Sequence, residues 1–102
     1  MIDIEQEYVD KGLATIQRSL AKLVSKERMS QEDADATLAR ISLATDRSVC
    51  ADCDLVVEAV PEILDLKTSI FAELDGICKP ETILASNTSS ISISTIADAT
   101  NR

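Results

Sequence analysis

The chain has 102 residues, 45% of them apolar, and a formal charge of −8, which allows at most one domain around an aliphatic core. Two aromatic residues, Tyr8 and Phe71, and ten basic against eighteen acidic side chains supply neither the stacking surface nor the clustered positive charge that nucleic acids require. The sequence holds no histidine for acid–base or metal chemistry, only two glycines where a G-x-G-x-x-G or Walker loop needs more, and no run near the ~18 apolar residues of a membrane span.

Residues 4–25 predict one long helix, because Val9, Leu13, Ile16, Leu20, Leu23 and Val24 recur at spacings of three and four and form one stripe. Asp3 is the expected N-cap, with Glu5 and Glu7 near the first turn. Met1-Ile2-Asp3 before it reads as the tail of a strand, and its acidic character is unlike a secretory signal, which places the expected location in the cytoplasm. Ser30-Gln31-Glu32-Asp33 resembles a capping box and starts a second helix, so the two helices read as an antiparallel hairpin. Residues 41–46 alternate as a strand does. Residues 54–60 (Asp54-Leu55-Val56-Val57-Glu58-Ala59-Val60) are the strongest strand, with a β-branched centre expected to be buried on both faces. Pro61 ends it, and residues 62–78 predict an amphipathic helix with Ile63, Leu66, Ile70, Phe71, Leu74 and Ile77 on one face, stopped by Lys79-Pro80. A short buried strand at Ile83-Leu84-Ala85 and a short helix capped by Ser92 or Ser94 complete an order that predicts βαβ units and a parallel sheet.

Cys50-Ala51-Asp52-Cys53 has the C-x-x-C spacing, and Cys78 is the third cysteine. Three thiols fall one short of a structural zinc site, so no metal is expected. A redox pair stays open beside the plainer reading of reduced cysteines that only pack.

The run Thr82-Ile83-Leu84-Ala85-Ser86-Asn87-Thr88-Ser89-Ser90 passes from apolar residues to one amide and four hydroxyls, at the kind of strand end where open α/β sheets bind ligands. This run, with residues 54–62, resembles the NAD-dependent 3-hydroxyacyl-CoA dehydrogenases, including the bacterial 3-hydroxybutyryl-CoA type. The likeness covers essentially all 102 residues but only the middle of such an enzyme's nucleotide-binding domain. It implies an α/β fold with an incomplete Rossmann-like parallel sheet and a long helical hairpin inserted before the third strand of the family fold. The family's first strand, glycine-rich loop, catalytic histidine strand and C-terminal helical domain are expected to lie outside residues 1–102.

The resemblance also implies roles. Asp3 falls at the acidic position that binds the adenosine ribose and repels a 2′-phosphate, favouring NAD over NADP; the local alternative is a helix cap only. Glu62 and Lys67 fall at NAD-contacting positions; the alternative is an i, i+5 charge pair on a solvated helix face. Ser89 matches the active-site serine that orients the substrate's 3-oxygen, and Asn87 a residue beside it; the alternative is a turn and cap. Ser19 and Lys26 match positions that contact coenzyme A, on a helix whose surroundings carry Lys11, Arg18, Lys22 and Arg28; the alternative is a solvated face. The implied parent activity is oxidation of a (3S)-3-hydroxyacyl-CoA to the 3-ketoacyl-CoA with NAD, in fatty-acid or butanoate metabolism. Its proton transfer rests on a histidine and a glutamate outside these residues, so little turnover is expected from them alone. Self-association or a homodimer is expected, without nucleic acid or membrane as partner. A non-catalytic α/β interaction module on the same scaffold is the other reading.

Overall fold

Apolar side chains spaced three and four apart do make a helix: α1 runs Gln6–Ser25, with Val9 and Leu20 buried and Leu13, Ile16, Leu23 and Val24 half-buried along one stripe. It packs on α2, Gln31–Ala39. The computed structural model describes residues 1–102 and divides into two units, Met1–Asp46 and Arg47–Arg102.

In the first unit, the expected cap at Asp3 is not formed. Its amide pairs with the Ala44 carbonyl at 3.3 Å, its carboxylate accepts from the next amide, Ile4, at 2.7 Å, and the N-cap position falls to Glu5, which makes no side-chain cap. The extended pairing of residues 1–3 keeps Asp3 out of the helix entry. Ser30, in contrast, caps α2 as expected, its hydroxyl accepting from the Asp33 amide at 3.0 Å. Between the helices, the Arg28 amide reaches the Leu23 carbonyl at 2.9 Å and the Glu27 amide reaches Val24 at 3.0 Å. This is a Schellman turn, and it places Glu27 at φ 57°. Residues 41–46 do not form the expected strand. Pairing there reduces to one parallel bridge, Ile2 with Ala44, because the partner segment bends at residues 4 and 5 to enter α1. The Met1 side chain meanwhile comes within 3.0 Å of where a Cβ on Gly12 would stand, a close approach that glycine permits.

The second unit opens with a 3₁₀ turn, Arg47–Asp52. Strand β1 (Leu55–Glu58), helix α3 (Leu64–Ile77) and strand β2 (Ile83–Ser86) follow, then α4 (Ile93–Ala97). The strands pair in parallel from Leu55 with Ile83 to Glu58 with Ser86, so β1, α3 and β2 are one βαβ unit. The core is Ile70, Phe71, Leu74 and Cys78 along α3, Cys50 of the 3₁₀ turn and Ile96 of α4. All three cysteines are free.

Two burial expectations are corrected. Neither strand is buried on both faces: Leu55 and Val57 are 55% and 60% exposed, and Ile83 is 64% exposed. Alternation sends Val56 and Glu58 toward α3 and the odd-numbered residues of β1 to the other face, which no helix of this unit covers. The inward stripe of α3 is also shifted. Ile63 and Leu66 are exposed, and Lys67 takes the place in phase with Ile70, Phe71 and Leu74. Ser92 holds the N-cap position of α4 without a side-chain cap; the nearby Ile91 amide donates to the Thr88 hydroxyl at 3.1 Å. A hollow of about 450 Å³ lies along β2 and α4, lined by Phe71, Ile83, Ser86, Ile93 and Ala97 among others. Arg102 closes the unit. Its guanidinium pairs with Asp75 at 2.7 Å and donates to the carbonyls of Lys79, Pro80 and Thr82 at 3.0, 3.0 and 2.7 Å.

A buried ion pair at the strand ends

Glu58 ends β1 at 4% exposure, and Lys67, one helical turn into α3, is 1% exposed. Charges this deep persist only when paired and hydrogen-bonded. Both conditions hold. Glu58 Oε2 accepts from Lys67 Nζ at 2.6 Å and from the Val60 amide at 2.7 Å, while Oε1 accepts from the Ser86 hydroxyl at 2.6 Å. Lys67 Nζ uses its remaining donors on Glu62 Oε1 at 3.1 Å and the Val60 carbonyl at 3.3 Å. No buried side-chain nitrogen or oxygen of the chain lacks a partner.

These contacts set the ionisation states. Burial pushes the Glu58 carboxyl up, but the hydrogen bonds from Lys67, Ser86 and the Val60 amide together outweigh it and hold it below its usual value. Burial likewise pushes the Lys67 ammonium down, and its bonds to Glu58 and Glu62 more than restore it, leaving it above the ordinary lysine value. Glu62 is lowered first by Lys67, then by the Thr88 hydroxyl, against a smaller opposing effect of burial. The pair is therefore fully charged at neutral pH.

Glu62 carries the network outward. Its side chain is 40% exposed, and its Oε2 accepts from the Ser90 hydroxyl at 3.1 Å. The loop of residues 87–90 is bound to the same rim from beneath: the Asn87 amide donates to the Glu58 carbonyl at 2.8 Å, and the Thr88 amide to Ser86 Oγ at 3.3 Å. Ser89 is exposed between Thr88 and Ser90, and Asn87 is exposed at the start of the loop. Of the residues singled out in the sequence, Glu62, Lys67, Asn87 and Ser89 thus converge at the carboxyl ends of two parallel strands. Asp3, Ser19 and Lys26 lie in the other unit, all exposed, Ser19 on α1 and Lys26 at its C-cap. The solvated charge pair considered for positions 62 and 67 is overturned by the burial of Lys67.

Sequence reasoning missed Glu58 and Ser86. A signal was present: a glutamate inside the run Leu55-Val56-Val57-Glu58-Ala59-Val60 and a lysine in phase with Ile70, Phe71 and Leu74 each break the apolar pattern, and each is the other's partner.

Comparison with known proteins places this geometry. The family model described as "3-hydroxyacyl-CoA dehydrogenase, NAD binding domain" matches residues 1–102. A probable 3-hydroxybutyryl-CoA dehydrogenase of Deinococcus radiodurans is 46% identical over 100 residues, which are 98% of this chain and 36% of that protein. A peroxisomal fatty acid beta-oxidation multifunctional protein of Arabidopsis thaliana is 36% identical over 97% of this chain and 14% of its own length. The crystal structure of (S)-3-hydroxybutyryl-CoA dehydrogenase from Ralstonia eutropha superposes with a TM-score of 0.96 at 43% identity, covering 100% of this chain and 36% of that one. The chain thus spans about a third of the length of such single-function relatives. Its parallel βαβ unit and Rossmann-like neighbours agree with the expected fold, and the chain belongs to the family of NAD-binding domains of the 3-hydroxyacyl-CoA dehydrogenases.

Proposed function

We propose that the chain supplies the rim of the cofactor and substrate site in a dehydrogenase that interconverts (3S)-3-hydroxyacyl-CoA and 3-ketoacyl-CoA with NAD. The observation that carries this reading is the 3.1 Å bond from Ser90 to Glu62, which joins the loop bearing Ser89 to a carboxylate anchored on buried Lys67. The donor and acceptor set fits a ribose and carboxamide: Glu62 is half-exposed and ionised, and Asn87 and Ser89 are exposed beside it. NAD, when bound, supplies the hydride acceptor. Glu62 accepts from ribose hydroxyls. Lys67, whose bonds to Glu62 and the Val60 carbonyl are its two longer ones, would hold the cofactor together with Glu62. Ser89 donates to the substrate's 3-oxygen and orients it, with Asn87 beside it. Asp3 takes the adenosine ribose hydroxyls and disfavours a 2′-phosphate, while Ser19 and Lys26 take the coenzyme A portion.

In this reading the glycine-rich loop, the histidine base and the C-terminal helical domain belong to the remainder of such an enzyme, and the setting is cytoplasmic fatty-acid or butanoate metabolism. The exposed apolar side chains Leu55, Val57 and Ile83 support self-association. The test is calorimetric titration of NADH into the chain and its variants. Glu62→Gln is expected to weaken binding about tenfold, the size of one charged hydrogen bond. Ser89→Ala is expected to weaken it less and to weaken binding of 3-hydroxybutyryl-CoA to the NADH complex about tenfold. No NADH binding at millimolar concentration overturns the cofactor assignment. Enzyme-like oxidation of 3-hydroxybutyryl-CoA by these 102 residues overturns the placement of the base outside them.

A further inference from the structure

Resting on that reading of Glu62 and Lys67, we propose that Glu58 is the positioning residue of the rim, with one buried carboxylate holding both halves of the cofactor-contacting surface in register. Glu58 touches three elements at once. Through Val60 it fixes the turn that leaves β1, through Lys67 it fixes α3, and through Ser86 it fixes the end of β2. Its backbone carbonyl binds the first amide of the loop, Asn87, at 2.8 Å. From Ser86 the chain of bonds continues to the Thr88 amide. Lys67 carries the other branch to Glu62, whose second oxygen returns to the loop at Ser90. Both carboxylate oxygens of Glu58 are taken up by Lys67, Val60 and Ser86, so it acts through Lys67 and Ser86.

Chemistry separates the two branches. Glutamine at position 58 keeps an acceptor oxygen for Lys67 and Val60 and turns an NH₂ toward Ser86, whose hydroxyl can rotate and accept. The Ser86 link survives with reversed polarity, while the only deeply buried anion opposite Lys67 disappears. Lys67 then depends on the half-exposed Glu62 for its counter-charge, drawing that carboxylate inward and away from the rim. Ser86→Ala does the converse: it removes the side-chain link from Glu58 to the loop, leaves the backbone bond to Asn87, and keeps the ion pair whole.

The test is ¹H–¹⁵N NMR of the full chain, with NADH titration alongside. The Lys67 ammonium, buried and bound three times, is expected to give a slowly exchanging signal. Glu58→Gln is expected to speed that exchange at least about tenfold, to shift the Asn87–Ser90 amides, and to weaken NADH about tenfold while circular dichroism stays native. Ser86→Ala is expected to move the same loop amides without altering the Lys67 signal. An unchanged Lys67 signal and unchanged loop amides in Glu58→Gln overturn the proposal. If that variant does not fold, unmoved loop amides in Ser86→Ala overturn it instead. Failure of the native chain to bind NADH refutes the cofactor reading alone, because the NMR responses to both variants decide the role of Glu58 without any dinucleotide.

Discussion

Glu27 and Gly76 are each the wrong residue for the local backbone they occupy. Glu27 stands in the left-handed region at φ 57°, where a side chain costs about 1–2 kcal/mol and where glycine is the usual choice at the end of a helix. Gly76 lies in the last turn of α3, and a Cβ built there meets nothing within 4 Å. Glu27→Gly and Gly76→Ala are each expected to raise stability by about 0.5–1 kcal/mol, read as a higher urea midpoint at unchanged slope. A lower midpoint for Gly76→Ala would mean that the end of α3 has to fray. The same scale shows what sequence could and could not reveal about the site. The placement of Glu62, Asn87 and Ser89 together was legible, because each stands at a strand end. Glu58 was not legible in this way, although a carboxylate inside an apolar strand and Lys67 on an apolar stripe are two halves of one pair. Pattern reading treats each as an exception, and only the fold shows that the exceptions meet at 2.6 Å.

Elements were more legible than their surroundings. The stripe of α1, the Ser30 cap of α2 and the βαβ order all follow from local rules and are present. Burial was not legible, because apolar strands such as Leu55-Val56-Val57 look alike whether one face or two are covered. Here one face carries α3, and the other exposes Leu55, Val57 and Ile83 across the paired strands Leu55↔Ile83 and Val57↔Ala85. This apolar sheet face is the surface proposed above for self-association. Val57→Lys, which adds a charge to that face without touching the α3 side, is expected to lower the sedimentation coefficient toward the monomer value and leave the circular dichroism unchanged. A native chain that already sediments as a monomer at high concentration removes the face as a site of association. Residues 41–46 make the complementary point: alternation alone gave a strand, and the pairing available to it amounts to one bridge.

Over the whole chain, the titratable groups predict a stability profile with two limbs and a plateau. Glu58 and Glu62 are lowered from an ordinary value of 4.5, and Asp75, bound first by the Asn101 amide and then by Arg102, is lowered from 3.8. Below these ordinary values the unfolded chain takes up protons before the folded one does. The stability they contribute is therefore complete above about pH 5 and lost as pH falls through their lower folded values. At the alkaline side the order reverses. Burial raises Cys50 and Cys78 from 9.0, so the unfolded chain releases thiol protons first and stability declines as pH rises past about 9. Lys67, raised from 10.5 by Glu58 and Glu62 against its burial, and Lys79, raised first by its bond to Asp54, deepen that decline at still higher pH. Between the two limbs no histidine titrates. Urea unfolding from pH 3 to pH 10.5 should then show a plateau flat to within about 0.5 kcal/mol between pH 5 and 8.5. Glu58→Gln should remove much of the acid limb, and Cys50→Ala with Cys78→Ala much of the first alkaline step. A slope through neutral pH would mean that a group other than these governs the fold. An acid limb that survives in Glu58→Gln would assign it to Glu62 and Asp75 instead of the buried pair.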